Sequence, residues 1–104
     1  MIVEFSIFPL GSGEHLSPAV AELLRLVDES GLPYEFHSMG TIVEGEWDEV
    51  LSLIRKCHQK ALELSPRVST SIRIDDFPGR PDRIRGKVQA VEQIVGRKLG
   101  RPEP

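Results

Sequence analysis

The chain has 104 residues, 39% of them hydrophobic and 28% charged, with a formal net charge of −3. That length supports one core of two packed layers, and that composition belongs to a folding globular chain rather than a disordered or fibrous one. A negative balance provides no field to gather phosphate backbones or anionic lipid, and no run approaches the roughly 20 apolar residues that span a bilayer, so neither nucleic acid nor a membrane is an expected partner.

Met1 to Leu10 (MIVEFSIFPL) alternates from Val3, with Val3, Phe5 and Ile7 on one face and Glu4, Ser6 and Phe8 on the other, the period of a strand that Pro9 and Gly11 are expected to end. Ser17-Pro18 then supplies a helix cap followed by proline at the first helical position. Leu16, Val20, Leu23, Leu24 and Val27 recur at helical spacing, which predicts a helix over Pro18 to Ser30. Gly31 and Pro33 stop it. Tyr34 to Met39 reads as a second strand and Thr41 to Glu44 as a third, forming a hairpin across Gly40.

From Trp47 the apolar positions Trp47, Val50, Leu51, Ile54, Cys57, Ala61 and Leu64 step by three and four, a second helix that Ser65-Pro66 breaks. Val68, Thr70, Ile72 and Ile74 alternate against Ser69, Ser71, Arg73 and Asp75 in a fourth strand. After a Phe77-Pro-Gly-Arg-Pro loop, Asp82 is the expected cap of a third helix striped by Ile84, Val88, Val91 and Val95. Residues 1–100 therefore read as one domain and 101–104 as a frayed tail.

The order strand-helix-strand occurs twice, which predicts an α+β ferredoxin-like two-layer sandwich, βαββαβ, with a four-stranded antiparallel sheet and an additional C-terminal helix. The first and fourth strands are expected to be adjacent and central. Expected core positions are Val3, Phe5, Ile7, Leu23, Val27, Val50, Ile54, Ile72 and Ile74. Two helices cover one face, so the other is open and should carry Glu4, Ser6, Phe8, Ser69, Ser71, Arg73 and Asp75; on the hairpin, either His37 and Met39 or Phe36 and Ser38 join it. Exposed Phe8 and the stripe of the third helix exceed what a monomer of this size easily covers, which predicts a homo-oligomer, most simply a homotetramer.

The three histidines, His15, His37 and His58, show no metal-ligand spacing, and no metal or cofactor is expected. Cys57 cannot close an internal disulfide and falls on an apolar helix stripe, where a thiol acts as a small hydrophobe. With no basic start or cleavage site of a signal peptide, a reducing, cytoplasmic location is expected. Gly11-Ser12-Gly13 lacks the spacing of a phosphate cradle. Met39 to Gly45 sets Thr41 and Glu44 on a short strand between two glycines, open both to a binding role and to plain hairpin chemistry. Arg83, Arg85 and Lys87 form a basic run at the helix end least favourable to positive charge, read either as a solvated face or as a contact to an anion or a neighbouring subunit.

VEFSIFPLG on the first strand, Ser17, the block YEFHSMGTIVEGEWDEV, RVSTSIRID on the fourth strand and the Lys87-containing helix together resemble the thiamine-binding, YkoF-like family of small ferredoxin-like proteins, from about Ile2 to Gly100. The resemblance implies a cytoplasmic, non-catalytic binder of thiamine or its hydroxymethylpyrimidine moiety, assembled as a dimer of dimers with sheets paired face to face. It places Ser17, Thr41 and Glu44 at the family's serine and Met-Gly-Thr...Glu-Gly positions. The face assignment adds Glu4, Ser6, Phe8 and Ser71, with Met39 as a further ring contact, giving a ligand site of Glu4, Ser6, Phe8, Ser17, Met39, Thr41, Glu44 and Ser71.

Topology alone does not decide function. An acylphosphatase-type enzyme resembles this fold but needs an asparagine and a loop arginine; the chain has no asparagine, and Pro9 to His15 has no arginine. An RNA-recognition module needs stacking aromatics on central strands and a basic surface. An amino-acid-sensing regulatory module and a purely structural oligomer both remain compatible with the residues.

Overall fold

The computed structural model describes residues 1–11 and 17–100, and for Ser17 the backbone only. The element order is β1 (Ile2–Leu10), α1 (Ser17–Glu29), β2 (Tyr34–His37), β3 (Gly40–Glu44), α2 (Trp47–Leu64), β4 (Arg67–Asp75) and α3 (Arg83–Val95). The sheet is antiparallel in the order β2-β3-β1-β4. This is the expected ferredoxin-like α+β sandwich, with one correction to its sheet. β4 is adjacent to β1 but lies at the edge, and β3 takes the second central place. The crossover through α1 leaves a gap beside β1, which the hairpin fills with β3.

Val3 pairs with Val43 on one side and Ile74 on the other, and Phe5 with Thr41 and Ile72, so these residues share one face. Val3, Phe5 and Val43 are buried there with Leu23 and Val27 of α1 and Val50, Leu53, Ile54, Cys57 and Ala61 of α2. Glu4 pairs with Arg73 and Ile42, and Ser6 with Ser71, on the opposite face, as the alternation of β1 requires.

The core corrects several expected positions. Ile72 is 44% exposed and Ile74 37% exposed, although both lie on the helix side, because α1 and α2 pack over the sheet centre and leave the edge strand uncovered. Ile7 is half-buried against the core rather than in it. Trp47 and Leu64, at the two ends of the α2 stripe, are exposed, and Leu53 is buried. Pro9 does not end β1; it is buried inside it, paired with Val68. Beyond Phe5, β1 has β4 as its one neighbour, and proline is tolerated where one side of a strand has no ladder. β2 ends at His37, and Ser38 and Met39 form the turn.

α3 has no buried residue. It sits on the open-face side, anchored by its first turn, and the radius of gyration of 15.3 Å exceeds the ~13 Å of a compact domain of this length. Its cap is not the expected one. Asp82 has left-handed geometry (φ 54, ψ 40) and makes no side-chain cap bond. The Glu44 carboxylate accepts from the backbone N–H of Arg83 (2.9 Å) and Ile84 (3.2 Å) instead. Among the described residues, no helix is long and apolar enough to cross a membrane. The expected tail, 101–104, lies outside the described residues.

Candidate functional site

β1 outruns β3 by half its length, and the hairpin turn folds over the gap this leaves. The result is a hollow of about 500 Å3 between the far half of β1, the turn and α1. Val20, Leu23, Leu24 and Val27 of α1 line one wall, Phe5, Ser6, Ile7 and Phe8 another, and Phe36 to Thr41 the third. A mainly apolar cavity of this size with a few convergent polar groups suits a small organic molecule. Of three larger hollows, one of about 610 Å3 lies between α1 and α2, and two, of about 670 and 800 Å3, flank the start of α3. The two beside α3 are seams between the α3 region and the sheet, and both are lined by Glu44, whose carboxylate α3 already occupies.

Local contacts hold the turn over the hollow. Ser6 Oγ donates to Met39 O (3.1 Å), and the Met39 backbone N–H donates to His37 Nδ1 (3.3 Å). That bond leaves the His37 ring proton on Nε2, which faces Glu4 Oε2 at 3.9 Å. Gly40 has φ +156, and a Cβ there would stand 2.8 Å from Ser6 Oγ and 3.1 Å from Phe5 O, so the turn can approach β1 this closely only at a glycine.

Four of the expected site residues, Ser6, Phe8, Met39 and Thr41, line this hollow. Phe8 is half-exposed at its rim and Met39 is 81% exposed. Thr41 pairs with Phe5 on the helix side and is buried. Glu4 stands on the open face next to Ser6, and Ser71 lies across from Ser6 on β4. Glu44 is at the other end of the sheet. The Ser17 side chain and His15 lie outside the described residues. On the hairpin, His37 shares the open face while Phe36 is on the helix side, which settles the parity that the residues left open.

Strand alternation did not reveal Ile7, Phe36, His37 and Ser38 as lining residues, because the hollow wraps around a strand edge and takes side chains from both faces. The only local signal was the glycine following Ser38-Met39.

At the far end of the sheet, Arg83 Nη2 donates to Asp75 Oδ2 (3.1 Å) and Lys87 Nζ to the same oxygen (3.2 Å). Arg83 Nη1 lies 3.1 Å from Oδ1 without a hydrogen-bonding angle, an ionic contact only. These cations lower the Asp75 carboxyl to about pKa 2. The basic run of α3 is thus partly spent inside the chain. Arg80 and Arg83 also stand over the Phe77 ring, at 4.9 and 5.3 Å from its centre. Burial pushes the Cys57 thiol up to about 11, the state of a packing residue rather than a nucleophile. Among the described residues, no group of three or more His, Cys, Asp or Glu side chains could hold a metal ion.

The fold and the hollow define a small ferredoxin-like domain with one open sheet face and a cavity sized for a small molecule. The chain belongs to the thiamine-binding protein family, whose model matches residues 3–92. It is 39% identical over 104 residues to a UPF0045 protein of Mycobacterium bovis, covering 99% of this chain and 98% of that one. A solved structure from Methanocaldococcus jannaschii superposes with a TM-score of 0.81 at 32% identity, over 88% of this chain and 95% of that one. A Thermotoga maritima protein named for a provisional role in thiamine biosynthesis/salvage shares the fold, with a TM-score of 0.76 at 21% identity over 86% and 96% of the two chains.

Proposed function

We propose that this protein is a cytoplasmic, non-catalytic binder of thiamine or its hydroxymethylpyrimidine moiety, and that it works as a homotetramer. The observation that carries the reading is the apolar hollow under the hairpin turn, in a chain of the thiamine-binding family. A flat aminopyrimidine needs an apolar or aromatic surface with a few short polar groups. Phe5, Phe8, Phe36 and Met39 offer the first, and Ser6, Ser38 and Thr41 the second. The permanent positive charge of a thiazolium ring would lie around the strand edge toward Glu4, whose side chain is half-exposed on the open face. Glu44, committed to α3, and Ser71, across the sheet, are assigned supporting places outside the ligand's first contacts. A second copy over the open face and over the exposed α3 residues Val88, Val91 and Val95 would put the site near a subunit boundary.

Isothermal titration with thiamine and with hydroxymethylpyrimidine tests this. Binding of both is expected, with Glu4→Gln weakening thiamine about tenfold, as loss of one charged contact at a half-exposed site would, and leaving the pyrimidine nearly unchanged. No heat and no rise in melting temperature at millimolar concentrations of either compound would refute the reading.

A further inference from the structure

We propose that His37 couples occupancy of the hollow to protons: a proton on its ring and a cationic ligand oppose one another, because both draw on the Glu4 carboxylate and the proton also unlatches the turn. The inference rests on the reading of the hollow as a thiamine site and adds its regulation.

His37 is the last residue of β2, and its cross-strand partner is Gly40. With no side chain at Gly40, the ring reaches past β3 to β1. Its Nδ1 accepts from the Met39 backbone N–H (3.3 Å), an acceptor that exists only while the imidazole is neutral. Its Nε2 lies 3.9 Å from Glu4 Oε2, too far for a hydrogen bond and close enough for an ion pair once the ring is charged. The other charged groups nearby on this face are Glu35, two residues earlier on β2, and Arg73 of β4, paired with Glu4 from the far side. Among the described residues, neither forms an ion pair with His37 or Glu4. Glu44, on β3, is turned to α3. From the helix side, α1 presents Val20, Leu23, Leu24 and Val27 to the hollow, none of them titratable.

Protonation puts a hydrogen on Nδ1, which then meets the Met39 N–H donor to donor. The turn loses one of the two bonds that hold it, and only Ser6 Oγ to Met39 O remains. The imidazolium gains Glu4, the same carboxylate that a thiazolium ring would use. Entry of a cationic ligand therefore returns the Nδ1 proton to solvent and restores the latch, while acidification weakens the ligand. Linkage makes the two effects equal in size. The His37 and Glu4 side chains are 39% and 46% exposed, so the coupling has the scale of one exposed ion pair, about fivefold.

Calorimetry and nuclear magnetic resonance of the full chain decide the proposal. The ratio of the thiamine Kd at about pH 5.5 to that at about pH 8, the span over which histidines change charge, is the readout. It is expected to be about fivefold larger in the unaltered chain than in His37→Asn. The asparagine oxygen still accepts from the N–H two residues on but does not titrate. Titration of the ligand's own pyrimidine nitrogen enters both proteins alike and cancels. Equal ratios would overturn the proposal. In the free, unaltered chain the Met39 amide resonance is expected to move together with the His37 ring as pH falls, and Glu4→Gln should delay that step to lower pH. A Met39 amide that does not follow the ring overturns the proposal, and this measurement decides if His37→Asn does not fold. Thiamine that binds at neither pH would remove the proposed function and this coupling together, whereas binding with equal ratios removes the coupling alone.

Discussion

Replacing Glu44 with alanine should release α3 from the sheet while leaving the sandwich intact. Among the described residues, Glu44 supplies the side-chain cap of that helix, through two charge-assisted bonds to the backbone N–H groups of Arg83 and Ile84. Loss of an N-cap costs about 0.5–2 kcal/mol, and a bond to a charged group contributes about 1.5–3 kcal/mol. Because the carboxylate is partly exposed, we take about 2 kcal/mol, a shift of about thirtyfold between docked and released helix. No residue of α3 is buried, so apolar packing within the chain cannot compensate. Amide hydrogen exchange followed residue by residue is the assay. Protection of Gly86 and its helical neighbours should fall about thirtyfold, while amides of Val3, Val50 and Cys57, which report the core, should hold. Unchanged α3 protection would refute the cap assignment. An equal fall in the core would show that α3 opens only with the whole domain.

The Asp75 contacts predict an acid step in the same region. The folded carboxyl is held near 2, below its unfolded value, so its stabilising contribution is complete above about pH 4 and is lost as pH falls through about 2. Nuclear magnetic resonance titration of the Lys87 ammonium should show that step and lose it in Asp75→Asn. Gly40→Ala should displace the turn from Ser6 and Phe5, lowering stability by about 1–3 kcal/mol and weakening ligand binding together, as thermal melting and titration calorimetry would report. Cys57 should resist maleimide labelling in the native protein and label once it is unfolded; rapid native labelling would contradict its burial.

Several features of this protein are settled by residue order alone. The alternation of β1, the three-and-four spacing of Val50, Ile54, Cys57 and Ala61, and the break at Ser65-Pro66 define elements through local backbone geometry, and the twofold strand-helix-strand order then restricts the topology. The faces of β1 follow from the same period of two. Sheet position is different, because whether β4 lies at the centre or the edge depends on which strand fills the gap beside β1, a competition between segments far apart in sequence. That competition exposes Ile72 and Ile74, whose alternation is as regular as that of buried Val3 and Phe5. It also brings Glu44 to the start of α3, a cap 39 residues distant that no local pattern encodes. The hollow is tertiary for the same reason: it exists because β1 is longer than the hairpin beside it, and it draws Ser6 and Phe8 from one face and Ile7, Phe36 and Thr41 from the other. Periodicity assigns a side chain to a face, but only the packed strands decide where a face ends.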